Sequence, residues 1–186
     1  MMWDLPTSVE IDGDVFKIRN DCDYRVVLDT MIALNDESLE MNDRAKCALF
    51  IFYEDLSGCR DIEKAINEMI RIISNETGEE KRNKSHSVSL MDWERDFSLI
   101  VPPVSRVLGY DVRTPNKYTH WWTFLSGYME IGSDCTFSNI ISIRSKKSKG
   151  KKLEKWEEEF YREHFDIIDL PNKMSEEEIE WLNAEW

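Results

Sequence analysis

Apolar and polar residues alternate along VEIDGDVFKI, residues 9 to 18, on both sides of Asp12-Gly13. A repeat of two marks a half-buried strand, and an Asp-Gly pair readily takes the positive φ angles of a two-residue turn. A β-hairpin is therefore predicted over about residues 8 to 18, with Val9 and Ile11 on the same side as some of Val15, Phe16 and Ile18. An isolated hairpin is only marginally stable in water, so its apolar face has to rest on elements later in the chain.

Beyond the hairpin the apolar spacing lengthens to that of a helix. DYRVVLDTMIALN aligns Val27, Met31 and Leu34, with Asp21 or Asp23 placed to cap the first turn. NDRAKCALFIFYEDL starts at a candidate Asn42 cap and is apolar nearly all round, which predicts burial between neighbours. RDIEKAINEMIRIISN aligns Ile62, Ile66, Met69 and Ile73 before Gly78, so three consecutive helices are expected to bundle. Residues 75 to 89, NETGEEKRNKSHSVS, lose the periodicity and are expected to form a mobile polar loop that leaves His86 solvated. Periodicity resumes in SLMDWERDFSLIVPPVSRVLGYD, which aligns Trp93, Phe97 and Ile100. Pro102 and Pro103 remove two amide donors, which predicts a kink or break there and a second short helix ending at Gly109.

THWWTFLSGYMEIG then raises the question of whether adjacent tryptophans belong to the core or to a docking surface. At 100° per residue the apolar side chains Trp121, Phe124, Tyr128, Ile131, Leu125, Met129 and Trp122 cover about half the helix cylinder. Thr123, Ser126, Gly127 and Glu130 lie opposite. Trp121 is central to the arc and is expected in the core; Trp122 lies at its rim, either closing a second helix contact or half exposed. A helix starting near Ser133 or Asp134 aligns Phe137, Ile140 and Ile141, with Arg144 at the end of the stripe. KKLEKWEEEFYREHFDIIDL aligns Leu153, Trp156, Phe160, His164 and Ile167 and stops at Pro171. Last, MSEEEIEWLNAEW carries a capping box, Ser175 with Glu178, and a stripe of Ile179, Leu182 and Trp186 that leaves Trp181 outside it. The fold class is thus mainly α: a helical bundle over residues 1 to 170 with an N-terminal β-hairpin, followed at 171 to 186 by a tail with a short amphipathic helix.

Charge changes the functional picture more than it changes the fold. The 186 residues carry a net charge of -13, yet RSKKSKGKK (144 to 152) holds six positive charges, so the remainder is more negative still. Such a body repels phosphate backbones, which disfavours nucleic acid as a partner. The basic run has no interleaved aromatics for stacking on bases, and Gly150 marks it as a helix junction. Its Lys146, Lys147, Lys151 and Lys152 are candidates for holding an acidic patch on another subunit or on a client. No apolar run approaches the roughly 20 residues a membrane helix needs, and the N-terminus resembles no signal peptide. A cytoplasmic protein is expected.

Candidate chemistry is sparse. Cys22, Cys47, Cys59 and Cys135 show no CxxC pair or histidine partner, and buried free thiols are expected instead of a metal site. No Gly-rich phosphate loop, HExxH, GxSxG or DxDxDG pattern occurs. His120 beside Tyr118 is the nearest approach to an acid-base site, but a histidine capping or flanking a helix start is the preferred reading. His164, on an apolar stripe, suits a core or rim position. Neither a catalytic residue nor a cofactor is assigned.

YDVRTPNKYTHWWTFLSGYMEIG and CTFSNIISIRSKKSKGKKLEKWEEEFYREHFDIIDL, together with the hairpin, resemble the phage gene-product-fifteen family of siphoviruses and prophages in Gram-positive bacteria. The resemblance spans about residues 4 to 170 and centres on Tyr-x-His-Trp-Trp at 118 to 122 and Ser-Ile-Arg-x-Lys-Lys at 142 to 147. It implies a non-catalytic tail assembly chaperone that forms oligomers in the host cytoplasm, coats the tape-measure protein, gives way to tail tube protein and leaves before the virion is complete. The alternative is a structural tail or connector component retained in the virion. Trp122, Tyr128, Trp181 and Trp186, with the four lysines, are the candidate partner-binding residues.

Overall fold

A computed structural model describes residues 4 to 75 and 90 to 170. Two strands, β1 (Ser8–Ile11) and β2 (Asp14–Lys17), pair antiparallel with Val9 opposite Phe16 and Ile11 opposite Asp14. Asp12 (φ 53°) and Gly13 (φ 91°) form the expected two-residue turn. Val9, Ile11, Phe16 and Ile18 are buried, whereas Val15 is exposed, because the tight turn sets the register and sends Val15 to the outer face.

Seven α-helices come next among the described residues: α1 (Tyr24–Asn35), α2 (Met41–Phe52), α3 (Ile62–Ser74), α4 (Trp93–Leu108), α5 (Trp121–Met129), α6 (Thr136–Ser148) and α7 (Lys155–Ile168). Helix α1 packs on α2, α4 and α5; α3 packs on α2 and β1; α6 packs on α4 and α7. Asp23 caps α1, its Oδ1 accepting from the Arg25 amide at 3.0 Å, while its Oδ2 accepts from the Thr119 amide at 3.1 Å. The start of α1 is thereby tied to the segment that leads into α5. Main core residues include Phe52, Met69, Ile72, Ile100, Trp121 and Phe124, with Tyr24 stacked on Phe124 at 4.5 Å between ring centroids.

Several expectations need correction. Helix α2 begins at Met41 behind Glu40, not at an Asn42 cap, and only Ala48, Leu49 and Phe52 are buried; Phe50 and Met41 are exposed. Its apolar composition exceeds the face its neighbours can cover. Helix α4 runs unbroken through Pro102 and Pro103. The prolines withdraw the donors that Ser98 and Leu99 carbonyls would normally receive, but Ile100, Val101, Pro103 and Val104 are all buried, so packing keeps the backbone helical. Gly109 ends the helix at φ 78°, as anticipated. On α5, Gly127 is buried, not solvent-facing: a Cβ there would lie 3.1 Å from Leu108, so glycine permits the close approach of α4. Met129 is exposed, which shifts the buried arc toward Trp121, Phe124 and Gly127. Helix α6 is preceded by Cys135, slightly later than Ser133 or Asp134. The loop from residue 75 is described only at Asn75, a left-handed C-cap of α3 at φ 55°; the rest of it, with His86, and the tail with its capping box lie outside the described residues.

Helix ends leave carbonyls without intrahelical donors, and side chains distant in sequence supply them. Arg19 donates to the carbonyls of Phe50, Ile51 and Tyr53 at 2.8, 2.9 and 2.7 Å, closing α2. Arg144 closes α7 through Ile167 (2.8 Å) and Ile168 (2.6 Å), reaches Leu90 at 3.1 Å, and forms a bidentate pair with Asp96 at 2.6 and 2.9 Å. Both charges of this pair are buried, and Asp96 also accepts from the Asp92 amide at 3.0 Å. Removing one partner of a buried pair strands the other charge, at a cost of about 3–5 kcal/mol, whereas apolar replacement of both is often neutral. Arg144→Met is thus expected to lose about 3–5 kcal/mol in urea denaturation. Adding Asp96→Leu should recover only part of that loss, because the Leu90, Ile167 and Ile168 carbonyls and the Asp92 amide still lack their partners.

Candidate functional site

The adjacent tryptophans have a structural role. Trp121 is buried and donates its indole N–H to the Ile73 carbonyl at 2.9 Å; Trp122, half-buried, donates to the Ile72 carbonyl, also at 2.9 Å. Together they close the C-terminal end of α3. Tyr128 is half-buried, with its hydroxyl 3.1 Å from the Met91 sulfur and its ring against Trp93. Trp181 and Trp186 lie outside the described residues.

Within the basic run, α6 extends through Ser148, so Lys146 and Lys147 are helical and already paired. Lys146 donates to both oxygens of Glu157 at 2.7 and 2.8 Å. Burial would push the Glu157 carboxyl up, but the Glu154 amide and the Lys146 ammonium outweigh it and hold it below its ordinary value. Lys147 pairs with Asp169 and lies over the Tyr161 ring, 3.8 Å from its centroid. Lys151 and Lys152, past the left-handed Gly150, are exposed and make no ion pair among the described residues. The run thus divides into two lysines that hold α7 and two that face solvent.

His120 is buried and caps α5: its Nδ1 accepts from the Trp122 amide at 3.0 Å, and its Nε2 donates to the Pro6 carbonyl at 3.0 Å. This arrangement requires the neutral ring, protonated at Nε2 only. Burial lowers the His120 pKa, opposed by the Pro6 carbonyl and the Asp23 charge. His164 is half-buried beside the Phe160 ring. Among the described residues no cluster of three or more His, Cys, Asp or Glu side chains is placed to hold a metal ion. All four cysteines are free, but only Cys22 is buried, its pKa pushed up to about 12 by that burial; Cys47 is exposed.

The remaining feature is a concave apolar surface between α1 and α4 that residue spacing alone did not reveal. One cavity of about 330 Å³ is lined by Tyr24, Leu28, Ile32, Trp93 and Phe97, together with the charged residues Arg25, Asp29, Glu94 and Arg113. A second, of about 900 Å³, shares Ile32, Trp93 and Glu94 and continues to Met31, Tyr128 and Ile141, but it is lined as much by polar groups, with Asn35, Asp36, Glu37 and Asp92 on its wall. The Trp93 and Phe97 stripe was legible as helical, but which flank of it would stay open depends on how α1 crosses α4.

A comparison with protein families matches residues 2–170 to the family described as Bacteriophage Gp15 protein. The chain belongs to that family. The match covers the hairpin, all seven described helices and the Tyr-x-His-Trp-Trp segment. No curated protein and no solved structure is detectably similar to this Gp15-family chain. Membership identifies a phage protein of the structural or assembly kind. No helix among the described residues is long and apolar enough to cross a membrane.

Because the folded-state pKa of His120 lies below its ordinary 6.5, the stability it confers is fully present above that pH and is lost as pH falls toward the folded value. The urea midpoint should therefore fall on acidification below neutrality, and His120→Asn, which keeps a cap acceptor but cannot titrate, should fall less. Equal pH dependence of the two proteins would remove His120 from the account.

Proposed function

We propose that this Gp15-family protein is a non-catalytic tail assembly chaperone that binds the tape-measure protein and keeps it soluble during tail morphogenesis. The observation that carries the proposal is the mainly apolar cavity of about 330 Å³ between α1 and α4, with Ile32 39% exposed, set in a chain of net charge -13. An apolar groove accepts the apolar face of a client helix, and a strongly charged body opposes aggregation of whatever it holds. Family membership supports a phage assembly role without specifying the client. The chaperone acts in the host cytoplasm as an oligomer, makes way for tail tube protein, and uses no metal, cofactor, nucleic acid or membrane.

Co-expression with the tape-measure protein of the same phage tests this. The expected result is more tape-measure protein in the soluble fraction, a several-fold loss of that effect for Ile32→Glu with circular dichroism unchanged, and no copies of the chaperone in purified virions. Stoichiometric recovery from virions would instead make it a structural tail or connector component.

A further inference from the structure

The two cavities between α1 and α4 share Ile32, Trp93 and Glu94, so they form one continuous groove. Helix α1 lines it at Arg25, Asp29, Ile32 and Asp36, in steps of four, three and four residues, which is a single stripe along the whole helix. The 12 residues of α1 measure about 18 Å. A groove of that length, with Leu28, Ile32, Trp93 and Phe97 in its wall, takes a stretch of chain and not a single side chain.

Charge decides what kind of chain fits. The two arginines in the groove are already engaged, Arg25 with Asp23 at 3.1 Å and Arg113 with Asp111 at 2.9 Å. Asp29 and Glu94 make no ion pair among the described residues. Desolvation raises the Asp29 carboxyl above its ordinary value, and a cation seated beside it would offset that. Farther along, Asp36, Glu37, Asp92 and Glu94 line the larger cavity, and no lysine or arginine among the described residues lines it. Asp36 and Asp92 accept hydrogen bonds from Ser38 and from the Arg95 amide, which leaves their charge in place. Negative charge thus follows both walls, on α1 at Asp29 and Asp36 and at the start of α4 at Asp92 and Glu94.

We infer that the segment this groove takes is a basic amphipathic helix, with its apolar stripe over Ile32, Trp93 and Phe97 and its lysines or arginines reaching Asp29 and Asp36 on one side and Asp92 and Glu94 on the other. Long basic side chains suit such a site, because the aliphatic stem covers apolar surface while the charged head reaches a carboxylate. An acidic helix of equal hydrophobicity is rejected by the same carboxylates. The inference rests on the reading of this cavity as the client site and adds the chemistry of the client segment.

Fluorescence anisotropy tests it with two dye-labelled peptides of about 18 residues, long enough to form helices, that share one leucine stripe and carry either lysine or glutamine elsewhere. The full chain is expected to bind the lysine peptide about tenfold more tightly than the glutamine peptide. Asp29→Lys with Glu94→Lys should remove that preference, with circular dichroism unchanged. Glu10→Lys with Glu159→Lys, the same change of net charge at exposed positions on β1 and α7, should alter the preference less than twofold. Ile32→Ser should weaken both peptides alike. Equal affinity for the two peptides overturns the inference, as does an equal response to the two double substitutions, which would assign the preference to net charge alone. Binding that appears only after Lys81, Arg82 and Lys84 are all changed to serine also overturns it, by assigning the groove to the chain's own residues. Failure here is distinct from failure of the chaperone reading: a chain that solubilises the tape-measure protein but shows no peptide preference loses only this inference, whereas one that prefers the lysine peptide but leaves the tape-measure protein insoluble loses only the chaperone role.

Discussion

The fold depends on one constraint: a helix end leaves carbonyls that must find donors, and in this chain the donors come from far along the sequence. The Arg144 guanidinium is the extreme case. It is buried, directs all its N–H groups at oxygen, and in doing so joins the carbonyls of Ile167, Ile168 and Leu90 to the Asp96 carboxylate. Elements α4, α6 and α7 therefore meet at one buried polar point. Such a centre is unforgiving, since a buried donor or acceptor left unmatched costs more than a matched one contributes. No buried side-chain nitrogen or oxygen among the described residues is left without a partner.

The same logic accounts for many of the chemically suggestive residues among those described. The tryptophan pair, His120, Asp23, Arg19 and the two helical lysines all serve to close helix ends or hold one element against another. Exposed among the described residues are the rim of the α1–α4 cavity at Ile32, the side chains of Trp156, Phe165 and Ile167 on α7, and the lysines after Gly150. These surfaces suit association with protein, in keeping with a phage protein of the structural or assembly kind.

Local features were legible in the sequence because their causes are local. Asp12-Gly13 determined the hairpin turn, Asp23, one of two candidate caps with Asp21, the start of α1, and Gly109 the end of α4, each through backbone preferences of one or two residues. Trp121 followed from the centre of its apolar arc. Long-range matters were not legible: Arg144 looked like the polar end of a stripe, and its partner Asp96 lies 48 residues away. Periodicity says that a face is apolar without saying what covers it, which is why α2 and α7 were expected to be more buried than they are. Pro102-Pro103 and Gly127 were misjudged for a related reason, since each is decided by what packs against it.

If Arg144 binds three elements into one, they should open together. Native-state hydrogen exchange with mass-spectrometric readout measures this directly, by comparing the opening free energy of amides in α7 with those in α4 and α6. The account predicts one shared value, close to that of global unfolding, for all three. Amides of α7 exchanging through a separate opening at clearly lower free energy, with α4 still protected, would contradict it.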